Sequence, residues 1–250
     1  MSEQIEVSRD GAVQLIRFNR PEKKNAITDA MYHTLTDALE AGEADDSVSV
    51  HLLLGHPGVF TAGNDVGDFL KLAQGTNMAE AGVARYLKRQ PEITKPFLAA
   101  VDGLAVGIGT TLLMHCDMVF ATPESRFMTP FVDLGLVAEN ASSLIAPRIM
   151  GAQRAFEMLA LGEAFDGERA REAGLVNAIL PAAELEAHAL GTAQRLAAKP
   201  QQALRLTKAL LKGDSAEIHA RSHRESEIFH ERLSSAEAHQ AFAAFMARSA

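Results

Sequence analysis

Two stretches of this 250-residue chain place glycines just ahead of a helical pattern: Phe60-Thr61-Ala62-Gly63-Asn64-Asp65 and Asp102-Gly103-Leu104-Ala105-Val106-Gly107-Ile108-Gly109. A turn that opens a helix leaves backbone N–H groups without acceptors, and such donors suit an anionic oxygen. Taken singly, a glycine turn serves backbone packing more often than a ligand, because glycine mostly supplies geometry. The second stretch is not a dinucleotide fingerprint, since Gly103, Gly107 and Gly109 lack the G-x-G-x-x-G spacing. No Lys-Ser or Lys-Thr follows to make a phosphate loop.

Other side chains can be weighed for chemistry on their own terms. Glu139 follows Leu136, Val137 and Ala138, an apolar setting that would desolvate a carboxylate and raise its basicity, although a loop glutamate is ordinarily solvated. Asp65 precedes a helical pattern and reads first as a helix cap. Asp133 could tune Glu139 or pair at the surface. His219 and His223 stand at i, i+4, but no glutamate of a zinc-protease motif lies between them and no third ligand suggests itself, so no metal is expected. Cys116, the one cysteine, has no base beside it and reads as an inert buried thiol. Phe127, Phe131 and Phe165 suit an acyl pocket or an ordinary core equally.

The elements around these residues read as an α/β core with a helical tail. Ile5 to Phe18 alternates as a hairpin turning at Arg9-Asp10-Gly11. Pro21 to Asn25 is a polar loop. Thr28 caps a helix to about Glu43 that buries Met31, Leu35, Ala38 and Leu39. Val48 to Leu54 is a buried strand. Asp65 caps a helix carrying Phe69, Leu70 and Leu72, and another helix runs from Ala79 to Arg89 before the Pro91 to Pro96 loop. Phe97 to Val101 is an interior strand, Gly103 through Gly109 opens a helix ending near His115, and Asp117 to Ala121 returns as a strand. Strands alternating with helices favour parallel pairing. Leu175 to Leu180 is the last strand. The rest is helical, with Ser234 and Glu237 spaced as a capping box before Phe242, Phe245 and Met246. The apolar stripes of this tail need a partner, either its own core or a neighbouring subunit.

Bulk properties narrow the partners. With 47% hydrophobic residues and a formal charge of −8, the chain can bury a full core, and it shows no basic stripe for nucleic acid or anionic lipid. No short-period repeat, membrane-length apolar run or signal-peptide pattern is present, so a cytoplasmic, reducing location is expected.

The runs FTAGNDVGDF (Phe60 to Phe69), AAVDGLAVGIGTTLLMHCDMVFA (Ala99 to Ala121) and RFMTPFVDLGLVAENASSLIAPRIM (Arg126 to Met150) resemble the crotonase, or enoyl-CoA hydratase/isomerase, superfamily over nearly the whole chain. Within it, the Ala-Gly-Asn-Asp turn and the Thr-Pro-Phe segment are most similar to peroxisomal-type Δ3,Δ2-enoyl-CoA isomerases and their bacterial relatives.

The resemblance implies a spiral of repeated β-β-α units in two roughly perpendicular sheets over residues 1–190. It implies a helical trimerisation region over 191–250, with trimers or dimers of trimers. It implies an acyl-CoA thioester substrate, held with its thioester oxygen between the backbone N–H groups of Asn64 and Ile108, and no cofactor beyond the CoA of the substrate. CoA contacts fall on Lys23, Lys24 and Ala26, with Arg20 in the same loop, and on the strip Ala62, Gly63, Asn64, Asp65 and Val66; Gly107, Ile108 and Phe131 complete the substrate set.

The positions of the two hydratase glutamates hold Thr111 and Phe131 here, and Glu139 occupies the position of the isomerase glutamate. One base suffices for isomerisation, because the group that takes a proton from C2 can return it to C4. The implied activity is the shift of a 3-enoyl-CoA double bond to the 2-trans position in fatty acid degradation. The alternatives are a hydratase, hydrolase or ring-metabolising relative on the same fold, and a non-catalytic acyl-CoA-binding protein.

Overall fold

The computed structural model describes residues 3–68 and 81–249. Strands β1 (Ile5–Asp10) and β2 (Val13–Phe18) form the expected antiparallel hairpin. Helix α1 (Asp29–Ala44) is capped by Thr28, whose hydroxyl accepts from the Met31 amide at 3.3 Å, and it buries Met31, Leu35, Ala38 and Leu39 as the periodicity requires. A helix carrying Phe69, Leu70 and Leu72 lies outside the described residues, as does the Ala79 end of the next one, whose described part is α2 (Gly82–Arg89).

From β3 (Val50–Leu54) onward one pattern recurs. A buried strand joins a first sheet, a three-residue strand joins a second, and a helix follows. Thus β3 leads to β4 (Val59–Thr61), and β5 (Phe97–Val101) to β6 (Leu104–Val106) and α3 (Ile108–Thr111). In turn β7 (Met118–Ala121) leads to β8 (Arg126–Met128) and α4 (Ser142–Leu159). The first sheet has the order β1-β2-β3-β5-β7-β10 and the second β4-β6-β8-β9, with β9 at Phe165–Asp166 and β10 at Ala178–Ile179. All pairings are parallel except β1 with β2 and β8 with β9. This is the β-β-α spiral that the resemblance implies. Helices α5 (Gly167–Glu172), α6 (Ala182–Ala197), α7 (Gln201–Lys212), α8 (Ser215–Leu233) and α9 (Ala236–Ser249) complete the chain. Among the described residues no helix is long and apolar enough to cross a membrane.

Several expected elements are corrected. Leu104 to Val106, read as the opening of a helix, is a strand paired on both sides; three residues are too few to display a period of two. For the same reason β4, β8 and β9 left no sequence signal. The strand expected at Leu175 to Leu180 is only Ala178–Ile179, because the Leu175 and Val176 amides instead close the end of α5 on the Ala170 carbonyl, at 3.0 and 3.3 Å. The cap of α9 is Ser235 rather than Ser234: its hydroxyl accepts from the Ala238 amide at 3.1 Å, while Glu237 turns back to pair with Arg232.

The last two helices of the tail find an apolar partner on the chain's own core, while Leu206, Leu210 and Leu211 of α7 stay exposed. Phe229, Leu233 and Ala238 pack with Phe131 and Leu136, and Phe242 joins them. Gly135 lies under this contact with φ of 71°, and a side chain there would meet the Ala238 backbone at 2.8 Å. Gly135→Ala is therefore expected to destabilise the protein by about 1–3 kcal/mol, from left-handed strain and overpacking combined. Denaturant melts should show the loss, with earlier hydrogen exchange in α8 and α9; an unchanged midpoint would mean that the tail is not clamped there.

Candidate active site

Among the amides that the two glycine turns leave without an acceptor are the two that the resemblance implies, Asn64 and Ile108. In the first turn the Ala62 amide donates to the Lys24 carbonyl at 2.9 Å, Gly63 to the Thr61 hydroxyl at 3.1 Å and Asp65 to the Ile27 carbonyl at 2.9 Å. Asn64 N–H meets no acceptor among the described residues. In the second, Gly107 donates to Met128 at 2.8 Å while Thr110 and Thr111 close on the Gly107 carbonyl, and Ile108 N–H is likewise left over with Gly109 N–H at the head of α3. Backbone donors are rarely orphaned without reason.

The two turns abut. Gly63, at φ of 87°, sits so close that a side chain there would reach the Val106 carbonyl oxygen at 2.6 Å. Glycine is the one residue that permits both the dihedral and the approach. The Tyr32 hydroxyl, from α1, donates to Asn64 Oδ1 at 2.5 Å, and buried Asn25 gives its amide to the Val59 and Phe60 carbonyls at 3.1 and 3.0 Å, holding β4 in place.

Glu139 arrives from the other side. It is 6% exposed, and Thr111 Oγ1 at the end of α3 donates to its Oε1 at 2.5 Å. Three residues of helix separate Thr111 from Ile108, about 4.5 Å of rise, so the carboxylate lies one turn from the free amide. Burial pushes the Glu139 carboxyl up to about 8; the Thr111 hydrogen bond opposes that shift and the negative charge of Glu225 adds to it.

The neighbouring groups stay neutral. Burial, and then the charge of Glu139, raises the Tyr32 phenol, and burial first also raises that of Tyr86, whose rings lie 5.7 Å apart. Burial lowers His115 to about 4 and raises the Cys116 thiol to about 12, although Cys116 is half-buried and not the fully buried thiol expected.

The turn after Glu139 is pinned by side chains the sequence reading passed over. Asn140 Nδ2 donates to Gln90 Oε1 at 3.1 Å, Gln90 Nε2 to the Leu112 carbonyl at 2.8 Å, and the protonated Nε2 of His115 to the Asn140 carbonyl at 2.8 Å. No periodicity announces such residues; the only local sign is Asn140 itself, a residue type tolerant of the left-handed φ of 60° found there.

The remaining expected residues divide. Asp65 caps the following turn, its Oδ1 accepting from the Gly67 and Asp68 amides, while Oδ2 takes Arg20 Nη1 at 2.8 Å. Arg20 is thereby committed to the fold, also donating to the Ala26 carbonyl at 2.9 Å. Lys23 and Lys24 are exposed beside the Ala62 strip, with Ala26 and Val66 half-buried. Phe131 is buried under the tail, and its ring lies 3.9 Å from where a Gly107 side chain would begin. Phe127 and Phe165 are fully buried core. No hydrogen bond or ion pair among the described residues links exposed Asp133 to Glu139. Likewise no group of three or more His, Cys, Asp or Glu could hold a metal; His219 lies 3.7 Å from Glu92, and His223 is 77% exposed at its side chain.

This arrangement can grip a carbonyl oxygen on two amides and offer one basic carboxylate to the carbons beside it. Comparison with known proteins agrees. Residues 8–250 match the family model described as Enoyl-CoA hydratase/isomerase. Enoyl-CoA delta isomerase 2 of Homo sapiens is 33% identical over 252 residues, covering 98% of this chain and 64% of that protein, so the chain spans just under two thirds of that relative. The 2,3-dehydroadipyl-CoA hydratase of Escherichia coli K12 is 30% identical over 247 residues, covering 98% and 96%. The solved structure of Pseudomonas aeruginosa OdaA superimposes with a TM-score of 0.93 at 42% identity, covering 98% of this chain and 99% of that one. Spiral, site and match together make the chain a member of the enoyl-CoA hydratase/isomerase family with the crotonase fold.

Proposed function

We propose that the protein moves the double bond of a 3-enoyl-CoA to the 2-trans position, with Glu139 as the sole proton carrier and Asn64 and Ile108 N–H as the oxyanion donors. The observation that carries this reading is the hydrogen bond between Thr111 and buried Glu139: a neutral hydroxyl stands where the resembling hydratases keep a carboxylate, and it donates to Glu139. Glu139 removes a proton from C2, charge develops on the thioester oxygen between the two amides, and the same carboxyl returns the proton to C4. Lys23 and Lys24 give an acidic chain a local pair of cations for the CoA phosphates, and Ala62 to Val66 its backbone strip.

The 191–250 region is proposed to join copies into trimers or dimers of trimers, a reading supported by the exposed Leu206, Leu210 and Leu211 of α7, at 59%, 85% and 82%. Lone Cys116 suits a reducing cytoplasm.

A second reading, hydration, draws on Glu225 as another buried carboxylate near Glu139 and on the hydratase named among the relatives. Product analysis separates them. With a 3-enoyl-CoA the protein should accumulate the 2-enoyl-CoA; a 3-hydroxyacyl product alone would overturn the isomerase reading. Glu139→Gln should lower kcat by about 10²- to 10⁴-fold with KM little changed, because the amide donors remain. Unaltered turnover in that variant would point instead to a binding protein.

Two pH effects follow from the raised carboxyl. The base acts when ionised, so kcat/KM of the wild type should fall about tenfold per unit below pH 8. The native state also holds this proton more tightly than the unfolded chain does, so the ligand-free protein should lose stability as pH rises from 4.5 through 8. Above that range Glu139→Gln should be the more stable protein, by on the order of 5 kcal/mol. Parallel stability curves for the two proteins would show that Glu139 is not desolvated.

A further inference from the structure

The turn that carries Glu139 is strained at its downstream end. Asn140 and Ala141 both have left-handed backbones, φ of 60° and 55°, and an alanine there costs about 1 kcal/mol or more unless its surroundings hold it. Part of that hold comes from an element far along the chain. Ser142 N–H closes on the Glu139 carbonyl at 3.1 Å, and Leu144 and Ile145 close on Ala141 at 2.9 and 3.0 Å, but Ser143 N–H finds no backbone acceptor. It donates to Oε1 of Glu225 on α8 at 2.9 Å.

Glu225 is 5% exposed, the Ala141 amide also faces its carboxylate, and its Oε2 is buried without a hydrogen-bond partner among the described residues. One turn earlier on α8, Arg221 Nη1 donates to the Ser143 hydroxyl at 3.0 Å, so two residues of the C-terminal region grip the first turn of α4 together.

We propose that Glu225 is a positioning residue for Glu139: from the C-terminal helical region its carboxylate holds the left-handed turn behind the base and sets a like charge beside it. The proposal rests on Glu139 being the base. The charged groups facing Glu225 are Arg221 on its own helix and Glu139 across the turn, and Glu225 is in turn the charged group that faces Glu139; the nearby phenols of Tyr32 and Tyr86 are neutral. Burial raises the Glu225 carboxyl above its ordinary value, and the Ser143 and Ala141 amides at the head of α4, with the Arg221 charge, oppose that shift and favour its ionised form. The Glu225 charge disfavours a second negative charge on Glu139, and so makes Glu139 the stronger base. An amide at position 225 would keep the hydrogen bond to Ser143 and lose the charge.

The test separates charge from scaffold. The Glu139 carboxyl is followed by carbon-13 NMR in protein labelled at glutamate, its signal assigned by its loss in Glu139→Gln, and titrated in wild type and in Glu225→Gln. The midpoint is expected to move to lower pH in Glu225→Gln. With a 3-enoyl-CoA the pH–rate profiles should cross: Glu225→Gln is faster than wild type at acid pH, where more of its base is ionised, and slower on the alkaline plateau, where its base is weaker. Glu225→Ala, which also leaves Ser143 N–H unpaired, should lower kcat by about tenfold or more with a small change in KM. Coincident NMR titrations of wild type and Glu225→Gln overturn the proposal, as does a profile lowered equally at every pH, which is the mark of a merely structural contact. Should the wild type fail to isomerise 3-enoyl-CoA at all, the NMR titration still decides the coupling, so the two failures remain distinct.

Discussion

Glu139 has been taken out of water, and among the described residues a single neutral hydroxyl, that of Thr111, is hydrogen-bonded to its carboxyl. An ionised carboxylate resists such a place, and the usual remedy, a cation, is missing from its immediate partners. The consequence is a carboxyl whose proton affinity is pushed up to about 8 from the ordinary 4.5. That is the property a proton carrier between two carbons needs, since it must take and give back the same proton without being trapped in either form. The rest of the molecule can be understood as the framework that keeps this uncomfortable group from relaxing into solvent.

Three layers of that framework act from different parts of the chain. The sheet strands deliver the two glycine turns to one place, where Gly63 packs against the Val106 carbonyl, and each turn carries an amide, Asn64 or Ile108, with no acceptor among the described residues. Gln90, His115 and Asn140 form a buried hydrogen-bonded set that ties the loop after Glu139 to the end of α3 and the turn after α2. The C-terminal helices then close over Phe131 and Leu136 and supply Glu225, which accepts from Ser143 at the start of α4. The desolvation cost at Glu139 is thus offset by packing elsewhere, as is common where a site needs a shifted group.

Membership in a family whose members share an oxyanion site but differ in outcome makes the placement of acids the deciding variable. Here one hydratase position is a threonine that serves Glu139 and the other is Phe131, buried under the tail. Neither of those two positions offers an acid to protonate a neighbouring carbon while water attacks.

Much of this was legible in the chain as written. The Asp10-Gly11 hairpin, the Thr28 cap with its apolar face, the buried runs of β3, β5 and β7 and the apolar approach to Glu139 all depend on neighbours within a few residues, where local sterics and periodicity speak directly. The three-residue strands did not speak, because a strand that short is made by its partners rather than by its own pattern. Nor could local sequence reveal Tyr32 against Asn64, Gln90 against Asn140, or Glu225 against Ser143, whose partners are 32, 50 and 82 residues away. Burial is a property of the folded whole, and it is burial that raises the proton affinity of what reads locally as an ordinary loop glutamate.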